Sequence, residues 1–167
     1  MEALSRLNSV LFKIIKEIMI IIGFFLIALT FIGVILRYAF GISIIWAYEV
    51  SMMLLVWVSF LGAAIAVQTK SHVNFDLFVS KIPERTRKWI ILLKDLIILA
   101  FLVIGIYYGY RVFGQTMRQS MQTINLPVGL LYLALPVAFI PMILFYIEEL
   151  LTEFKPKSQG ADQGGMK

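Results

Sequence analysis

Four long runs with little or no charge limit what this chain can become. The first is Ile18 to Leu36, 19 residues broken only by Gly23, Thr30 and Gly33. The second, Val50 to Val67, extends outward through Glu49 to Trp46. The third, Trp89 to Tyr110, is interrupted early by Lys94 and Asp95. The fourth, Leu126 to Ile147, is uncharged and contains Pro136 and Pro141. A helix needs roughly 20 apolar residues to cross the ~30 Å hydrocarbon core of a bilayer. Lipid offers the backbone no water to bond with, so a spanning segment satisfies its own amides and carbonyls as a helix, and prolines there kink the path without forbidding it. Composition agrees: 60% of the 167 residues are hydrophobic and 15% charged, more apolar surface than a soluble domain of this length could hide. The fold expected is an all-α integral membrane protein with four transmembrane helices at about 16–38, 46–68, 89–111 and 125–148. They form one membrane domain over 1–154, with a polar, glycine-rich tail at 155–167 expected to be disordered and cytoplasmic.

The first run follows Lys13 and Lys16, as the core of a secretory signal would. It is longer than the usual ~7–15 residues of such a core and no small-x-small cleavage site follows, so it reads as a retained span with Arg37 and Tyr38 anchoring its outer end. The basic residues are lopsided. Arg6, Lys13 and Lys16 precede span one. Lys70, Lys81, Arg85, Arg87, Lys88 and Lys94 lie between or beside spans two and three, and Lys155, Lys157 and Lys167 follow span four. Only Arg37, Arg111 and Arg118 fall in the two other connections. Positive charge marks the cytoplasmic side, so both termini are expected in the cytoplasm of a multi-pass membrane protein.

Two flanking segments are amphipathic. Leu4, Leu7, Leu11, Ile14 and Ile18 recur at helical spacing with the basic residues off the stripe. This fits either a surface helix that turns into span one or an early start of span one itself. Val73 to Ile82, followed by the basic Glu84-Arg85-Thr86-Arg87-Lys88 segment, fits a helix resting against anionic lipid headgroups. The excess positive charge is therefore a matter of topology and lipid, and nucleic acid is not an expected partner.

Catalytic signatures are missing. The chain has no cysteine and one histidine, His72, so metal, haem and thiol chemistry lack ligands; no cofactor and no enzyme activity are expected. The informative residues concern packing and polarity. Gly62 and Ala66 form a small-x-x-x-small pair, and Gly105 and Gly109 a GxxxG pair, which let helix backbones approach closely. Either pair could serve the bundle or a neighbouring subunit, the bundle being favoured. Glu49, one turn from Trp46, could contact a partner, pair with Arg37, or reach interfacial water; Asp95 poses the same question near the other surface. Trp46 and Trp89 stand at span ends as interfacial aromatics do, whereas Trp57 is at mid-span.

The order of motifs from Trp46 to Asp76 resembles the DctQ-like small membrane subunit of TRAP (tripartite ATP-independent periplasmic) transporters. Trp46 and Glu49 open span two, Trp57, Phe60, Leu61, Gly62, Ala63 and Ala64 form its core, and His72 and Asp76 follow in a loop. Arg37-Tyr38 after span one and Leu126-Pro127-Val128-Gly129 at the entry to span four also fit. The chain departs from many relatives in carrying Tyr48 where a second acidic residue stands. The resemblance implies a scaffold for a large many-span membrane subunit that carries the substrate and sodium sites, served by a periplasmic binding protein delivering an organic acid of the dicarboxylate or sialic acid class. It marks Arg37, Trp46, Glu49, Trp57, Gly62 and Asp95 as partner-interface residues. The competing reading is a self-sufficient homo-oligomeric channel or exporter, which would need a polar stripe at membrane depth; spans one and four offer almost none. A structural four-span protein with another partner is a third reading.

Overall fold

A computed structural model describes residues 2–69 and 84–153. Among the described residues five helices run in order: α1 Glu2–Phe40, α2 Ile45–Gln68, α3 Glu84–Thr116, α4 Gly129–Tyr132 and α5 Ala134–Glu153. Four stretches of the described residues are long and apolar enough to cross a membrane: Leu4–Phe40, Ile45–Gln68, Trp89–Thr116 and Gly129–Glu148, the last combining α4 with most of α5. The protein is therefore an all-α membrane protein. His72, Asp76, the amphipathic segment expected at 73–82 and the tail at 155–167 lie outside the described residues.

α1 is unbroken over its 39 residues, so the amphipathic Leu4–Ile18 stretch is the beginning of the helix that becomes span one. At 1.5 Å per residue it is about 58 Å long, nearly twice the hydrocarbon core, and its charged first turns, Arg6 to Glu17, must stand outside that core or lie along its surface. The helix stops at Gly41, whose φ of 68° is the left-handed conformation that residues with a Cβ resist. Ile42 then donates its amide to Leu36 O at 3.0 Å, which folds the chain back over the last turn of α1 and satisfies one of its end carbonyls. Ser43 and Ile44 are all that remains before α2 turns back.

α5 is the centre of the bundle. It packs against α2 on one side and α3 on the other, while α1 lies mainly on α2 and touches α5 through a smaller contact. The apolar core joins Ile15, Leu61, Ala64, Leu102, Ala138, Phe139, Met142 and Phe145. Burial is correspondingly uneven: 44% of the most apolar window of the fourth span is buried and none of that of the first. α1 covers the bundle on one side only.

The connection from α3 to α4 is a compact hairpin. Val128 donates to Gln119 O at 2.8 Å and Met121 to Leu126 O at 2.9 Å, flanking a bridge between Ser120 and Pro127. Pro127 sits at the pair that exchanges no bonds with its opposite residue, so its missing N–H leaves no gap in the ladder. This hairpin makes the fourth span begin at Gly129, a few residues later than hydropathy suggests. α4 lasts a single turn before Leu133, and Pro136, which has no amide for the carbonyl of Tyr132, stands at the start of α5.

Candidate functional site: the polar ties and the exposed α1 face

Several polar groups near or within the spans are engaged inside the chain. Ser59 and Thr30 return their hydroxyls to the carbonyls of Leu55 and Leu26 on their own helices. The others hold helices together. Trp57 of α2 donates its indole N–H to Leu130 O of α4 at 3.1 Å, three residues before the helix gives way. The mid-span tryptophan thus fastens the irregular start of span four to span two.

Glu49 lies at the far end of α2. Both its carboxylate oxygens, Oε1 and Oε2, accept the backbone N–H of Thr123, each at 3.1 Å. Thr123 is at the tip of the α3–α4 hairpin, so Glu49 pins that hairpin over the end of the bundle. Arg37 forms no ion pair with it; among the described residues the ion pair found is Lys94 with Asp95, at 3.2 Å. Arg37 and Trp46 are exposed at this same end.

At the opposite, basic end two further ties converge on α5 from different sides. Asn8 of α1 is fully buried and donates its amide to Leu144 O at 3.1 Å and to Glu148 Oε2 at 2.6 Å. Asp95 of α3 is 4% exposed and accepts the hydroxyl of Tyr146 at 2.6 Å. Asn8 Oδ1 and Asp95 Oδ2 have no partner. Groups of this kind are costly to bury, and here each secures one outer helix to the central one.

The glycine pairs behave differently from each other. The Phe139 ring of α5 occupies the position a Cβ on Gly105 would need, and a Cβ on Gly109 would come within 3.1 Å of Leu135 Cβ and 3.2 Å of Pro136 Cδ. GxxxG in α3 therefore serves the α3–α5 contact within the bundle. Gly62 meets only Met19 Sδ of α1, at 3.6 Å, and Ala66 is half-buried; the tightest residue of that part of α2 is Ala64, which is fully buried. Phe139 also meets Phe60 edge-on at 5.9 Å and Phe101 at 5.8 Å, joining three helices at one ring.

Of the residues singled out in the sequence, Glu49, Trp57, Gly62 and Asp95 are thus occupied inside the chain, Arg37 and Trp46 are free at its surface, and Pro127 shapes the hairpin. Asn8, Phe139, Tyr146 and Glu148 emerge only in three dimensions. Asn8 carried a signal: it shares a face of α1 with Ile15, Met19 and Ile22, and a lone amide on a packing face needs a partner. The chemistry available is that of interhelical fastening. Outside the bundle, α1 presents Ile20, Phe24, Ile27 and Phe31 as one exposed stripe at membrane depth.

Comparison with known proteins places these features in context. Residues 26–155 match the family described as tripartite ATP-independent periplasmic transporters, DctQ component. A Haemophilus influenzae protein described as a candidate TRAP transporter small permease protein is 22% identical over 153 residues, covering 92% of this chain and 93% of its own length. The C4-dicarboxylate TRAP transporter small permease protein DctQ of Vibrio cholerae is 33% identical over 103 residues, 60% of this chain and 44% of that protein. The sialic acid TRAP transporter permease protein SiaT of H. influenzae is 28% identical over 119 residues, 71% of this chain but 19% of SiaT. Against SiaT, then, the chain matches about a fifth of a much longer polypeptide.

Proposed function

Because the chain belongs to the DctQ-component family of tripartite ATP-independent periplasmic transporters, a family of transporter permease subunits and not of enzymes, we propose that it is the small scaffold subunit of such a transporter. It would hold a large many-span subunit in the membrane while that subunit moves an organic acid of the dicarboxylate or sialic acid class, coupled to sodium and supplied by a periplasmic binding protein. Sodium and substrate would both bind the large subunit, so this chain needs no cofactor of its own. Both termini would face the cytoplasm, in line with the basic residues around Asn8 and beyond span four.

The observation that carries the reading is the state of α1. A bundle helix that buries none of its most apolar window is only half used by its own chain, and the occurrence of the same region inside the much longer SiaT supports a large permease subunit as the second surface. The proposed contact is the stripe Ile20, Phe24, Ile27 and Phe31, with Trp46 at its rim. Partner recognition would rest on shape and van der Waals packing, as lipid chains are as apolar as these side chains.

The test is co-purification of the large subunit with a triple variant, Phe24→Ala, Ile27→Ala and Phe31→Ala, with uptake measured in parallel and helix content checked by circular dichroism. Loss of the partner and of uptake from a chain that still folds is expected. Normal assembly and uptake would overturn the contact. Solute flux from this chain reconstituted alone would overturn the scaffold reading itself.

A further inference from the structure

α1 and α2 form a V. The face of α1 that carries Asn8, Ile15, Met19 and Ile22 packs on its neighbours in the basic half of the bundle, where Met19 Sδ would lie 3.6 Å from a Cβ on Gly62. Continued along the helix, that face reaches Leu26, Thr30, Gly33 and Arg37, and there it stands away from α2. The gap is a cleft of about 860 Å³ between α1 and α2. Its walls are mainly aliphatic, Leu29 and Leu55 among them, with the hydroxyls of Thr30 and Ser51 deeper in, Thr30 bonded to its own helix at Leu26 O, while Arg37, Tyr38, Ser43 and Tyr48 stand at the open end of the bundle. A Cβ on Gly33 would meet nothing within 4 Å. This side of α1 is distinct from the stripe proposed above for the large subunit.

We propose that this cleft is a binding site for a single phospholipid, with its acyl chains between α1 and α2 and its phosphate on Arg37. Depth is the first argument. From Leu26 to Arg37 is eleven residues, about 16 Å along a helix, and from Ile45 to Leu55 ten residues, about 15 Å. Each is about half of the ~30 Å hydrocarbon core. The cleft therefore ends near the midplane, where α1 and α2 close, and suits an occupant one leaflet deep; a transmembrane helix of another protein would have to run on through the closed half. Charge is the second argument. Arg37 has no acidic partner among the described residues, and its guanidinium forks onto phosphate oxygens with two parallel hydrogen bonds. The flanking Tyr38 and Tyr48 have an apolar body and a polar tip, as suits the headgroup boundary. The lipid acts as a wedge that holds α1 at its angle to α2 and so sets the direction of the outer stripe.

The experiment titrates palmitoyl-oleoyl-phosphatidylglycerol into the delipidated full chain and counts retained lipid by native mass spectrometry. One tightly held lipid per chain is expected. Arg37→Gln should weaken retention about five-fold, the effect of one basic side chain beside anionic lipid, and Gly33→Leu should weaken it by putting a side chain into the cleft from a position where a Cβ meets no protein atom. Lys16→Gln should change nothing, and diacylglycerol, which lacks the phosphate, should not distinguish wild type from Arg37→Gln. Absence of a retained lipid in the wild type, or equal retention in both cleft variants with helix content unchanged, would overturn the site. The chain has no cysteine, so Leu29→Cys gives a single thiol in the cleft of the assembled transporter. Its cross-linking to the large subunit would overturn the lipid while leaving the scaffold role intact; retained lipid together with failed co-purification would do the reverse.

Discussion

The ring of Phe139 on α5 fills the space that any side chain at Gly105 on α3 would need. Close approach of α3 to α5 thus depends on a glycine and an aromatic ring acting as one fitted pair. Gly105→Leu should overpack the contact and cost about 1–3 kcal/mol, and Phe139→Ala should cost about 3–5 kcal/mol by leaving a void. The double variant should be more stable than the two losses added together, because the leucine can enter the vacated ring site. Thermal unfolding in detergent of the four proteins measures this; strict additivity would show that the two residues are independent.

Glu49 holds the hairpin by accepting one backbone amide with two oxygens. Glu49→Ala should therefore speed hydrogen exchange around Thr123 about five- to tenfold, while Glu49→Gln, which keeps one acceptor, should lie in between. Exchange at Leu102, deep in the core, should not respond. Mass-resolved hydrogen exchange on the whole chain separates these outcomes.

Asn8 sits 2.6 Å from Glu148, so charge at position 8 matters more than size. Asn8→Ala should lose an interhelical bond of about 0.6–1.7 kcal/mol and expose the first turns of α1 to trypsin at Arg6 and Lys13. Asn8→Asp would set two carboxylates together and should loosen the same turns further than Asn8→Ala does. Equal cleavage of all three proteins would refute the tie.

Trp57 contributes both a ring and an N–H. Trp57→Phe should keep most of the packing and leave Leu130 O without its donor, a loss of about 1 kcal/mol. Faster exchange in residues 129–133, at unchanged overall helix content, would be its signature.

The spans were legible because hydrophobic length is a local property, and so was the position of each small-residue pair. What the pairs face was not legible: GxxxG announces close approach without naming the neighbour, and only the fold shows Gly105 and Gly109 against α5 with Gly62 barely touching α1. Glu49 was harder still. Its partner is a main-chain amide 74 residues away, and a backbone N–H leaves no mark in a sequence. The apolar stripe Leu4, Leu7, Leu11, Ile14 and Ile18 also pointed elsewhere than to the packing face, since Leu7, Ile14 and Ile18 are exposed. In lipid an apolar residue gains little by facing protein, so hydrophobicity stops reporting which side is inside.

The central place of α5 has a consequence for biogenesis. α1, α2 and α3 leave the ribosome before the helix they gather around, so each must enter the bilayer and hold its orientation without the neighbour that later supplies Phe139, Tyr146 and Glu148. Their own hydrophobic length and flanking charges suffice for that first stage; α1 can lie on α2, and the rest of the bundle waits for residues 134–153. A nascent chain halted before Ala134 would be inserted yet incompletely assembled, with Asn8 and Asp95 still without their partners on α5. The arrival of α5 is the event that supplies both partners and closes the bundle.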